Sequence, residues 1–253
     1  MHLPEIDKYA HLDSPLHRWD ARVKVATLTV LLLATVLTRT WPAAIAGLGV
    51  ALVAVGLSRI PPKFLFVHLR WVLLFCALLL IVVPLTAGGE PTWRLGPVAV
   101  SGQGLAQAGL VTVRANAAVL LLLVTMGTAR FTVTLAALRQ LRVPRVAVQI
   151  LAFAYRYIFV LLDELSRMLS AARARGSEEA SLGRLLHNTG SMVGMLFVRS
   201  FDRTDRVYHA MLARGYQGEV RTLDDFRLRA ADVLKGSAAV GVAGVLLWAG
   251  VIA

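Results

Sequence analysis

Residues 163–218 read DELSRMLSAARARGSEEASLGRLLHNTGSMVGMLFVRSFDRTDRVYHAMLARGYQG, a polar stretch set between two strongly apolar regions. It holds two helix-like runs that close on the same three letters, Ala174-Arg175-Gly176 in the first and Ala213-Arg214-Gly215 in the second. Apolar positions recur at intervals of three and four in both. Leu161, Leu165, Met168, Leu169 and Ala172 mark the first, and Phe197, Phe201, Thr204, Tyr208, Met211 and Leu212 the second. This spacing predicts two amphipathic helices. A Gly just after the last periodic residue stops a helix, because it takes the left-handed cap conformation without a Cβ clash. Each Arg then sits on a last turn, where the helix dipole favours a cation. The small Ala beside it lets a partner surface come close. Dipole compensation alone accounts for many such arginines. Two Ala-Arg-Gly closures thirty-nine positions apart, on helices of similar pattern, are less easily dismissed. A planar guanidinium forks onto a carboxylate with two hydrogen bonds, so the pair suits docking on two equivalent acidic grooves of a cytoplasmic partner.

The composition says where such a device would be held. With 57% apolar residues and a mean hydropathy of +0.65, the chain is too greasy for an ordinary soluble domain. Several apolar runs approach the roughly 20 residues that cross a bilayer core. The expectation is an all-α polytopic membrane protein. Its net charge of +12 does not point to nucleic acid, because the basic residues flank the apolar runs as the positive-inside bias requires. The polar, mixed-charge segment 1–22 does not have the pattern of a cleavable signal peptide.

Spans are expected at 23–37, 43–57, 71–87, 105–128 and 233–253. Pro61-Pro62 should break any helix in the loop 58–70, and Pro84 should bend the third span. Residues 88–104 read as a Gly/Pro-rich loop with Glu90 and Arg94 as its charges. The run 146–162 is apolar enough to cross as well. Crossing there would export the Arg-rich region 163–231, however, and would bury Gln149 and Arg156 in the bilayer. It is therefore placed as a long helix on the cytoplasmic side. That gives five crossings, with six as the alternative, and a cytoplasmic N-terminus. The organisation is a cytoplasmic segment 1–22, a four-span bundle 23–128, coupling helices over 129–232 and a last span 233–253.

Other residues weigh less. Arg114, inside the fourth span, either snorkels or pairs with a polar neighbour such as Asn116 or Gln107, or contacts another membrane subunit. His2, His11 and His17 with Asp7, Asp13 and Asp20 are ligand types that suit a divalent transition metal. No pair of them has a helical i, i+4 spacing on a predicted helix, and all fall on the expected cytoplasmic side, so no metal site is expected. Cys76 reads as a plain core thiol. Gly47, Gly49, Gly56, Gly236, Gly241, Gly244 and Gly250 read as sites of close helix packing, Gly241 and Gly244 alternatively as an interface to another membrane subunit. No phosphate-cradling G-x-x-x-x-G-K-[ST] and no HExxH, GxSxG or CxxC is present, so no catalytic residue is named and any ATP is hydrolysed elsewhere.

Two Ala-Arg-Gly motifs in the cytoplasmic part of a polytopic chain resemble the T component of energy-coupling factor (ECF) transporters. The runs Ile6-Asp7-Lys8-Tyr9-Ala10, Ser14-Pro15-Leu16-His17-Arg18 and Asp20-Ala21-Arg22-Val23-Lys24 resemble its CbiQ branch, which serves cobalt uptake. Arg114 and Leu141-Arg142-Val143-Pro144 are also similar. The resemblance covers nearly the whole chain. It implies a non-catalytic subunit of the bacterial plasma membrane that binds no cofactor itself. Arg175 and Arg214 would dock on two CbiO-like ATP-binding-cassette subunits, which hydrolyse ATP with Mg. A CbiM-like substrate-capturing membrane protein and a small CbiN-like companion would complete the complex. Nickel or a vitamin are the alternative substrates. A conventional permease that forms the substrate path itself would instead carry one coupling segment per protomer and pair as a homodimer.

Overall fold

The computed structural model describes residues 9, 12–86, 91–95, 98–176, 182–218 and 229–251. Of the residues singled out above, His2, Ile6, Asp7, Lys8, Ala10, His11 and Glu90 lie outside them. The described chain is built from helices, joined by one short β-hairpin. It divides into two compact units, residues 1–141 with 224–253, and residues 142–223.

In the first unit, α1 (Ala21–Leu37) starts at Asp20, whose side chain accepts from the Arg22 backbone N–H at 2.9 Å. That bond satisfies one of the donors a helix start leaves orphaned. α2 (Trp41–Ser58) opens with Pro42 and ends on Arg59 in the left-handed region, φ 55°. α3 (Pro62–Thr86) then begins at the second proline of Pro61-Pro62. The expected break is real but shorter than the sequence implies. A first-turn proline lacks only an N–H that has no partner there anyway, so residues 62–70 are helical. Pro84 falls within the last turn of α3, where little of the helix remains to be bent.

The stretch expected to be a plain loop pairs β1 (Pro91–Leu95) with β2 (Val98–Ser101), antiparallel, Leu95 opposite Val98 and Pro91 opposite Ser101. Ser101 then caps α4 (Gly102–Gly127) by accepting from the Gly104 N–H at 3.3 Å. α5 (Phe131–Gln140) follows, and α8 (Ala230–Val251) returns the chain to this unit.

α4 is the central helix, packed on α1, α2 and α3, while α8 lies against α1 and α2. Leu28, Leu31 and Ala34 of α1, Ala51 of α2, Leu65 of α3, Ala117, Leu120, Leu121 and Val124 of α4 and Ala243 of α8 form one core. Of the seven glycines singled out above, three allow close approach. A Cβ at Gly47 would meet Thr35 at 2.7 Å, at Gly236 Val23 at 2.6 Å, and at Gly250 Thr38 at 2.8 Å. Gly49, Gly56, Gly241 and Gly244 face open space, so packing within the chain does not explain them. Phe66, Trp71, Leu74, Phe75, Leu78 and Ile81 of α3 are exposed. An apolar outer surface on an apolar bundle is what a lipid environment requires.

Among the described residues five helices are long and apolar enough to cross a membrane: α2, α3, α4, α8 and α6 (Arg145–Ala174). The number matches the expectation, but its membership does not. α1, with 17 residues, falls just short on length, yet it packs along α4 and α8 within the bundle. α6 qualifies on length and composition but belongs to the second unit.

The N-terminal segment is tied into this bundle. Lys24, 1% exposed, donates from Nζ to the carbonyls of Leu16 (3.3 Å) and Thr128 (2.9 Å), joining the segment to the end of α4. Its ammonium there faces the negative end of the α4 dipole. Trp19 Nε1 donates to the Asp232 carbonyl at 3.2 Å, and Arg22 Nη1 to Gln140 Oε1 at 2.6 Å. The ring of Tyr9 lies on Phe64, centroids 4.8 Å apart.

His17 Nε2 lies 2.9 Å from the Tyr9 carbonyl, which only accepts, so Nε2 carries the proton and Nδ1 accepts from Ser14 Oγ at 2.7 Å. Burial lowers the His17 pKa below its usual 6.5, against the raising effect of the Tyr9 carbonyl and with help from the Lys24 charge. A depressed folded value means this neutral imidazole stabilises the fold above pH 6.5 and stops doing so as pH falls through the folded value. Thermal melts in detergent should therefore show the wild type losing stability below pH 6.5 relative to His17→Gln; parallel curves from pH 7.5 to 5 would refute it.

Candidate coupling site

The second unit contains α6 and α7 (Leu182–Ala213), both more amphipathic than the bundle helices. α6 ends as the sequence predicts. Arg175 (φ −93°, ψ 12°) donates its N–H to the Ala172 carbonyl at 3.1 Å, and Gly176 (φ 78°) donates to Arg173 at 2.9 Å. α7 repeats this almost bond for bond. Arg214 N–H reaches the Met211 carbonyl at 3.0 Å, and Gly215 (φ 81°) that of Leu212 at 2.9 Å. The Tyr216 N–H also returns to Met211 at 3.0 Å, completing a Schellman closure. Each glycine is needed for its positive φ. A Cβ at either would meet nothing within 4 Å.

Ala174, Arg175, Gly176, Ala213, Arg214 and Gly215 are all exposed. Neither the Arg175 nor the Arg214 guanidinium has a hydrogen bond or ion pair with any described residue. The two closures are thus alike in backbone geometry, exposure and availability.

Contacts between the helices run in opposite chain directions. Gln149, near the start of α6, hydrogen-bonds through Nε2 to the Tyr216 hydroxyl beyond the end of α7. Farther along α6, Glu164 accepts from Arg199 Nη1 at 2.9 Å and Arg203 Nη2 at 3.0 Å. The helices are therefore antiparallel, which puts the two closures at opposite ends of the pair. Glu164 lies beyond the apolar run 146–162, and the Arg199 hydrogen bond, then the charges of Arg203, Arg199 and Arg167, hold its carboxyl below the usual carboxylate range.

On α6 the expected stripe, Leu161, Leu165, Met168, Leu169 and Ala172, is half-buried. On α7 the expected stripe points outward. Phe197 is 72% and Phe201 62% exposed, and Thr204, Tyr208 and Leu212 are exposed with them. Of those six residues only Met211 joins the half-buried positions, which are Met192, Leu196, Ser200, Arg203, Val207 and Met211. On that half-buried face Arg203 meets Glu164, which also holds Arg199, alongside the smaller apolar side chains Met192, Leu196, Val207 and Met211. Sequence reasoning missed this pair, although a carboxylate next to the α6 stripe was its available signal.

Elsewhere, half-buried Arg114 donates to the carbonyl of Val36, in the last turn of α1, which has no intrahelical partner. It pairs with a backbone group rather than with Asn116 or Gln107. Asn116, 8% exposed, donates to Thr112 at 2.7 Å and leaves Oδ1 without a partner among the described residues. Cys76 is buried, as expected of a core thiol. Among the described residues no three His, Cys, Asp or Glu side chains gather as a metal site.

The sequence profile of the CbiQ family, described as cobalt transport protein, matches residues 13–223 and so includes both closures. The chain belongs to this family. It is similar to the energy-coupling factor transporter transmembrane protein EcfT of Heliobacterium modesticaldum, 31% identical over 84% of each chain. It is also similar to the cobalt transport protein CbiQ of Rhodobacter capsulatus, 33% identical over 61% of this chain and 65% of that one. An uncharacterized protein of Methanocaldococcus jannaschii is 26% identical over 90% of this chain and 80% of its own. This CbiQ-family chain is thus a multi-pass membrane component of a transporter, in the plasma membrane.

Proposed function

We propose that the chain is the coupling subunit of an ATP-driven importer of the energy-coupling factor type, with cobalt(II) as its substrate. Arg175 and Arg214 each dock on one of two ATP-binding-cassette subunits, which bind and hydrolyse ATP with Mg. The bundle holds a substrate-capturing membrane protein, and Arg114 stands within reach of such a subunit while capping α1. The N-terminus and the pair α6–α7 lie on the cytoplasmic side. The single observation that carries this reading is the duplicated closure: two exposed Ala-Arg-Gly helix ends with matching hydrogen bonds, whose guanidinium groups have no partner among the described residues. Cobalt rests on the family's description and on the relative named for cobalt transport; nickel or a vitamin would leave the docking chemistry unchanged.

Mild-detergent purification of the tagged chain from its native host, followed by mass spectrometry, tests the reading. Two ATPase copies with one copy of this chain, accompanied by a small membrane protein with a metal-binding N-terminus, are expected. A homodimer without ATPases would support a permease that forms the path itself, and would return Arg175 and Arg214 to ordinary helix ends.

A further inference from the structure

Glu164 stands at a particular place on the α6–α7 pair. From Glu164 to Arg175 is eleven positions along α6, and from Arg203 to Arg214 is also eleven along α7. At 1.5 Å per helical residue each arm is about 16 Å long. Because the helices run in opposite directions, the arms leave Glu164 toward opposite ends. The two closures are therefore held at most about 33 Å apart, and the crossing at Glu164 sets the actual spacing. The carboxylate uses both oxygens, one on Arg199 and one on Arg203. Such charge-assisted bonds are directional as well as strong. On the half-buried face of α7, Ser200 and Arg203 occupy the middle, with Leu196 and Val207 on either side, and Gln149 meets Tyr216 nearer one end.

We infer that Glu164 is a positioning residue, the fulcrum that fixes the spacing of the two docking ends so that both can engage a pair of ATPases at once. The inference rests on the docking reading proposed above. Two linked sites gain affinity only when their separation matches the span of the partner. A loosened fulcrum leaves each arginine able to dock and removes the advantage of docking together. Its effect should then exist only while both arginines are present.

A double-mutant cycle reads this out. The full-length chain, in lipid nanodiscs, is titrated with the purified ATPase pair from the native complex, as wild type, Glu164→Gln, Arg214→Glu and the double variant. Glu164→Gln should weaken binding about tenfold in the wild-type background and by less than about twofold beside Arg214→Glu. The charge exchange Glu164→Arg with Arg199→Glu and Arg203→Glu should restore binding, which a misfolded α6 could not do. Equal loss in both backgrounds, or no loss in the first, overturns the fulcrum while the docking reading stands. A wild-type chain that binds no ATPase, or an Arg214→Glu variant that binds like wild type, sinks the docking reading and the fulcrum with it.

Discussion

Replacing Arg175 and Arg214 together by Glu is expected to abolish ATPase association, lowering affinity by more than about a thousandfold, while the chain inserts and purifies as before. Two features make the effect large. Each arginine is exposed and has no partner among the described residues, so a docked complex gains a charge-assisted hydrogen bond at each site that is worth about 1.5–3 kcal/mol. Reversal of the charge removes that bond and sets a carboxylate against an acidic groove. The sites are also linked, so losing both removes the bivalent gain as well as the two contacts. Either single reversal should retain measurable binding, because one anchor survives. The fold should not notice: both side chains are exposed and neither holds another element. Titration with the purified ATPase pair, next to a size-exclusion profile of the chain alone, separates the two effects. Wild-type affinity in the double variant would remove the basis for any role of these arginines in docking.

The two closures were legible because a helix stop is local physics. A periodic run, a last-turn cation and a Gly that accepts positive φ are all visible in a seven-letter window, and Gly176 and Gly215 do take φ 78° and 81°. The bundle was legible for a similar reason, since apolar length sets most of the spans. What stayed hidden depends on pairs far apart in the chain. Glu164 meets Arg199 and Arg203, more than thirty positions away, and Arg203 lies on the face of α7 that turns inward. Periodicity ranks faces by apolarity alone, and so it picked Phe197 and Phe201 for an interior they do not enter. Lys24 escaped for the opposite reason. One lysine at the edge of an apolar run looks like an interfacial anchor, whereas its ammonium is buried against carbonyls of residues 16 and 128. The hairpin at 91–101 was hidden by its Gly/Pro-rich setting, which reads as a loop until the register of its partner strand is known.

The glycines of the two closures allow a sharper test than the arginines, because they separate the direction of the arginine from its presence. At Gly176 and Gly215 an added Cβ has room, so only the backbone objects to substitution. A non-Gly residue in the left-handed region costs about 1–2 kcal/mol, and a β-branched one is a genuine outlier there, whereas Asn is several-fold enriched. Gly215→Val should therefore open the closure, run the helix on past Arg214 and turn its guanidinium away. ATPase affinity should fall about tenfold, with Gly176→Val acting likewise at the other end. Gly215→Asn should keep the closure and stay within about threefold of wild type. Binding assays on the three single variants decide the matter. If Val and Asn are both tolerated, the positive φ does not aim the arginine. If Val and Asn lose binding equally, the partner must pack on the glycine itself, and what the motif needs there is a bare Cα rather than a turn.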